Sequence, residues 1–111
     1  MQELKVIADF YDFALWLTRH IEKFPRHHRY SLGLYMEQQL YTILKNLIRA
    51  KYTKNKAATL AEVNLDLETL RFLIRMAKDL TILPVKSHSH AAGVLMDIGS
   101  QVGGWMRSSR A

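Results

Sequence analysis

One pattern narrows the fold more than any other feature of the chain. Between Leu60 and Ala77 the apolar residues Leu60, Val63, Leu67, Leu70, Ile74 and Ala77 recur in alternating steps of three and four. That is the period of an α-helix with one buried stripe, and it does not suit the two-residue period of a half-buried strand. The same spacing marks two more helices: Met36, Leu40, Ile43, Leu47 and Ala50, then Ala91, Leu95, Ile98, Val102 and Trp105. Near the N-terminus, Leu4, Ile7, Tyr11 and Ala14 follow heptad-like spacing, and Phe10, Leu17 and Ile21 widen that stripe. No segment alternates convincingly every second residue, so strands are not expected.

Punctuation divides the chain accordingly. The first helix is expected from about Glu3 to Lys23, because the residue before Pro25 disfavours helical geometry. Ser31, a good N-cap type, predicts the start of the second helix, which fades in the polar stretch Thr53 to Lys56. Thr59 with Glu62 three residues on is a capping-box candidate for the third, whose start a few residues earlier is also open. Pro84 suits the opening of the fourth. Short connections favour antiparallel neighbours. The expected fold is therefore all-α: an antiparallel up-down-up-down four-helix bundle forming one domain over residues 1–111.

The longest apolar runs are about five residues, such as Phe13 to Leu17, against roughly 20 needed to cross a bilayer. With no secretion signal visible after Met1, the expected location is the cytoplasm, with no membrane partner. Two helices carry more apolar surface than one seam requires. Leu65, Phe72, Leu73 and Met76 flank the stripe of the third, and Tyr41, Leu44, Ile48 and Tyr52 that of the second. Surplus of this kind predicts burial against another copy of the chain.

Charge points to a partner. The formal net charge is +6, and the surplus is local. Arg19, Lys23, Arg26 and Arg29 stand against the single acid Glu22, with His20, His27 and His28 beside them. Lys45, Arg49, Lys51, Lys54 and Lys56 lie in a stretch with no acid at all. Such clusters fit a polyanion, or else a solvated face that aids solubility. A third group, Arg71, Arg75 and Lys78, is spaced four and three apart and so forms a ridge along one helix face. Glu68 and Asp79 are placed to balance it, which leaves two readings: an ion-paired face, or a docking ridge whose arginine forks suit phosphates and carboxylates. Tyr30, Tyr35 and Tyr52 lie near basic residues, either to stack on bases or, as aromatics at helical spacing usually do, to join the core.

Nothing nominates a catalytic residue, a metal or a cofactor. His88 and His90 are two apart and point about 200° apart on a helix, and His27 and His28 diverge similarly. There is no cysteine, no Gly-x-Ser-x-Gly elbow and no His-Glu-x-x-His pattern. Asp66 and Glu68 face apart on their helix, and the glycines Gly93, Gly99, Gly103 and Gly104 form no phosphate loop. A binding module is expected, not an enzyme.

Three segments carry a resemblance. Glu22-Lys23-Phe24-Pro25-Arg26 with Arg29-Tyr30-Ser31-Leu32-Gly33 resembles the first helical connection of a bacterial four-helix-bundle family. Leu70-Arg71-Phe72-Leu73-Ile74-Arg75-Met76-Ala77-Lys78-Asp79-Leu80 resembles its third helix, and Ile98-Gly99 with Gly103-Gly104-Trp105 its end. The family unites the accessory variability determinant (Avd) proteins of diversity-generating retroelements with proteins encoded in intervening sequences of large-subunit ribosomal RNA genes. The resemblance implies a homopentameric barrel of bundles that binds a retroelement reverse transcriptase and its template RNA, or DNA, during mutagenic retrohoming. In the intervening-sequence branch the same bundle would have no transcriptase partner. Arg71 and Arg75 match the two arginines of the third-helix motif, implicated in partner binding, and Arg26 and Arg29 match basic positions around the Phe-Pro-Arg turn. Lys45, Arg49, Lys51, Lys54 and Lys56 fit only the family's general basicity, and the tail after Trp105 lacks a longer basic extension. Five copies at +6 each would sum to about +30, enough to steer RNA and make binding salt-dependent.

Overall fold

The computed structural model describes residues 2–109. Every element in that range is helical: α1 (Gln2–Ile21), the single turn α2 (Arg26–His28), a π-helical stretch (Arg29–Gly33), α3 (Leu34–Tyr52), α4 (Lys56–Asp79) and α5 (Val85–Ser108). Among the described residues there is no strand. The short turn, the π-stretch and α3 follow one another without a break, so they act as one rod and the four long helices of the expected bundle are present.

Three of the four expected stripes form the core as read. All the residues named above for α3, α4 and α5 are buried, from Met36 at 0% to Trp105 at 5% exposure. The stripe of α1 differs. Phe10, Leu17 and Ile21 are buried as expected and are joined by Val6 and Phe13, whereas Tyr11 is 52% exposed and Ile7 and Ala14 are half-buried. The α1 sequence is apolar around much of its circumference, so its period admits two stripes about one residue apart in phase, and packing selects the more aromatic one. Leu4, also assigned to that stripe, has its side chain outside the described residues. One connected core takes residues from all the long helices.

Two boundaries also depart from expectation. The second helical rod starts at Arg26, not near Ser31, because Pro25 (φ −52°, ψ 146°) works as its entry and lends its carbonyl to the amides of His28 and Arg29, both at 2.9 Å. Ser31 lies inside the π-stretch, and its hydroxyl donates to the His27 carbonyl at 2.9 Å. α4 starts at Lys56 and Asn55 makes no side-chain cap, so Thr59 sits within the helix and closes no capping box. At the other end of α4, Thr81 takes a left-handed φ of 63°. The amides of Ile82 and Thr81 return to the carbonyls of Ala77 (3.0 Å) and Lys78 (2.9 Å), a Schellman stop formed without glycine.

Cross-contacts fix the neighbours that matter for the surface. Asp9 meets Gln101 and His20 meets Ser87, so positions ascending in α1 meet positions descending in α5. Asn64 of α4 reaches Met106 of α5. Both orders are compatible with antiparallel packing. They put the end of α1, the α4–α5 turn and the start of α5 at one end of the molecule, and the α3–α4 turn at the other.

Candidate nucleic-acid and partner interface

The ridge read from α4 is solvent-facing. Arg71 and Arg75 are exposed, with their ion pairs to Glu68 and Asp79 both at 3.8 Å. Lys78 is more enclosed, at 29% side-chain exposure, and lies 3.5 Å from Asp79. Pairs this long between exposed side chains contribute no more than about 1 kcal/mol each. Both guanidinium forks therefore keep donors free for another acceptor. The ridge borders a groove of about 190 Å³ between α4 and α5, lined by Glu68, Arg71, Phe72, Ile74, Arg75, His88, Ala92 and Leu95. Two arginines, a histidine and the carboxylate of Glu68 thus stand around an apolar floor.

The other basic candidates divide. Arg26, Lys45, Arg49 and Lys54 are exposed and open to solvent. Lys51 is half-buried, with its Nζ 5.5 Å from the Tyr52 ring centroid. Arg29 is also half-buried: its Nη2 donates to the Phe24 carbonyl at 3.5 Å, its guanidinium lies 5.9 Å from the Tyr30 ring, and its Nε is buried with no hydrogen-bond partner. Lys56 has an internal task. Its Nζ donates to the carbonyls of Ala50 (2.7 Å), Thr53 (3.0 Å) and Lys51 (3.3 Å), closing the C-terminus of α3 where a cation also meets the negative end of the helix dipole. The ridge and the Arg19–Arg29 cluster share one end of the bundle, and the Lys45–Lys56 cluster lies toward the other.

The tyrosines resolve toward the surface: Tyr30 is 65%, Tyr35 46% and Tyr52 81% exposed. Most of the spare apolar residues are exposed too, with Leu65 at 67%, Phe72 at 60% and Tyr41 at 62%, whereas Leu44 and Leu73 are half-buried against the core.

A second groove, between α1 and α5, has the opposite charge. It is lined by Asp9, Asp12, Phe13, Trp16, Ser89, His90, Gly93, Val94 and Asp97. Gln101 Nε2 donates to Asp9 at 2.8 Å and to Asp97 at 2.9 Å, holding the two carboxylates near one another. Lys5 lies 2.7 Å from Asp9, and its hydrogen bond, followed by that of Gln101, holds the Asp9 carboxyl below its ordinary pKa. At its far end, Trp16 packs against His20 (centroids 4.1 Å apart) and His90 (4.9 Å). Sequence reading missed this groove and the facing of His88 toward Arg71 and Arg75. Asp9 and Asp12 are three apart on one helix, a visible signal, but Asp97 and His88 join only through the pairing of α5 with α1 and α4.

Among the described residues, no three His, Asp or Glu side chains are grouped to hold a metal ion. No described helix is long and apolar enough to cross a membrane. A family model described as bAvd-like matches residues 5–109. No curated protein and no solved structure matches the chain.

Proposed function

The chain belongs to the bAvd-like family, and from that membership we propose that it is a non-catalytic accessory protein of a diversity-generating retroelement. In this reading it is a cytoplasmic, antiparallel up-down-up-down bundle that assembles as a homopentamer. It binds the retroelement reverse transcriptase and its template RNA through its basic surface, and so supports mutagenic retrohoming.

One observation carries the reading. Arg71 and Arg75 project from α4 side by side with only loose partners, on the opposite side of α5 from the carboxylates of Asp9, Asp12 and Asp97. A phosphate backbone is attracted to the first face and repelled by the second, so polyanion binding is directed to the α4 side. Exposed Arg26, Lys45, Arg49 and Lys54 extend the positive field toward both ends of the molecule. Phosphate contacts of this kind position a nucleic acid without reading its sequence.

The test is Arg71→Glu with Arg75→Glu, assayed for capture of the transcriptase and of template RNA at low and moderate salt. Both side chains are exposed on the single chain, so helicity should be retained, and in this reading assembly mass persists while partner binding is lost. Unfolding or dissociation of the variant, or unchanged binding, would refute the role. A gene lying inside a ribosomal RNA gene, with no reverse-transcriptase neighbour, would count against the retroelement assignment.

A further inference from the structure

The α4–α5 groove has a composition that the arginines alone do not explain. Phe72 lies between Arg71 and Arg75 in sequence, lines the groove, and keeps 60% of its surface in solvent. An aromatic ring this exposed gains little from the core, and its apolar neighbours in the groove are Ile74, Ala92 and Leu95, with exposed Glu68 at the rim 3.8 Å from Arg71. Opposite them stands His88, a further donor on α5. The volume, about 190 Å³, is below the roughly 300–1,000 Å³ of pockets that enclose whole ligands. It suits one flat ring system with its attached charge left outside.

We propose that this groove is a binding site for an unpaired nucleotide: the base lies against Phe72 on the apolar floor, and the flanking phosphates take the free donors of Arg71 and Arg75. The proposal rests on the RNA-binding reading above and adds strandedness to it. In a duplex the base faces are already stacked and cannot reach Phe72, whereas a single strand can splay one out. Every base has such a face, so the site selects unpaired RNA without selecting sequence. Phe72 is here a specificity residue and the arginines supply the phosphate contacts.

The probe is a fluorescein-labelled poly-adenosine RNA, measured by anisotropy alone and annealed to poly-uridine of equal length at matched salt. The native protein should bind the single strand at least about tenfold more tightly than the duplex. Phe72→Leu, which keeps an apolar side chain but no aromatic face, should weaken single-strand binding about five- to hundredfold while leaving duplex binding and the salt slope unchanged. Phe72→Trp should restore it. Equal binding of the two forms, or a Phe72→Leu variant that binds as the native protein does, would overturn the nucleotide site while leaving salt-dependent RNA binding in place. Absence of any RNA binding would remove the broader reading as well. A change in assembly mass on Phe72→Leu, with RNA affinity unchanged, would reassign Phe72 to a subunit contact and so overturn the proposal.

Discussion

Replacing Gly33 by alanine should destabilise the protein, although alanine is the better helix former. Gly33 sits at the end of the π-helical stretch with φ −60° and ψ −46°, so it needs no special backbone freedom. What it needs is space. A Cβ there would lie 2.8 Å from Cγ2 of Ile21, 3.3 Å from the His28 carbonyl oxygen and 3.5 Å from the Phe24 ring. Ile21 and Phe24 are each 1% exposed, and a β-branched side chain at the end of α1 has little room to turn aside. Overpacking of this kind costs about 1–3 kcal/mol, against a helical gain of roughly 0.5–1 kcal/mol on replacing glycine. The difference is a net loss of up to about 2.5 kcal/mol, a fall in Tm of as much as roughly 10–15 °C for a chain of this size. Gly93→Ala is the control, because a Cβ there meets nothing within 4 Å. It should gain about 0.5–1 kcal/mol and melt a few degrees higher. The assay is thermal unfolding followed by far-UV circular dichroism, with all proteins at one concentration because assembly makes Tm concentration-dependent. A Gly33→Ala protein melting at or above the native one would refute the close packing of α1 against the π-stretch.

Two further outcomes follow from the same geometry. Lys56→Met should cost about 1–2 kcal/mol in denaturant unfolding by leaving three carbonyls at the end of α3 without their donor, while exposed Lys54→Met changes stability little. Asp66 has its pKa raised first by burial and then by Glu62, so its charged form is the less favoured one in the fold. The native state then holds the proton more tightly than the unfolded chain, and stability falls as pH rises from the ordinary value of 3.8 through the folded value. Asp66→Asn should therefore raise Tm modestly at neutral pH, with the gain fading as pH falls below that window; no gain at neutral pH would contradict it.

Much of this fold is legible in residue spacing, and the exceptions share a cause. The stripes of α3, α4 and α5 are each one-sided, so period alone identifies their buried residues. In α1, Tyr11 competes with Phe10 and Phe13, and only the partner helices decide between them. The start at Arg26 was hidden because Pro25 reads as a stop, whereas here it serves as an entry. The Thr59–Glu62 pair has capping chemistry but stands inside a helix that Lys56 already opens, so local propensity yielded to the turn. The ridge of Arg71, Arg75 and Lys78 was visible because its members share one helix. Its groove was not, since His88, Ala92 and Leu95 arrive from α5 through tertiary pairing. Lys56 shows the converse: a lysine in a basic run read as surface charge until the carbonyls around it came into view.

The π-helical stretch Arg29–Gly33 separates two parts of one rod that would otherwise share a single angular phase. A π-turn holds one residue more than an α-turn, as a one-residue insertion does. Residues before it are thereby offset by about 100° from the stripe that runs from Met36 to Ala50. Arg26 and the histidines beside it take their direction from Pro25 and the end of α1, and the core of α3 takes its own from the bundle. The offset aims the basic elbow independently of the α3 stripe, while Leu32 and Gly33 at the end of the stretch stay tied to the core, Gly33 through Ile21 and Phe24, so sequence at Arg26 to Tyr30 can vary more freely than at those two positions.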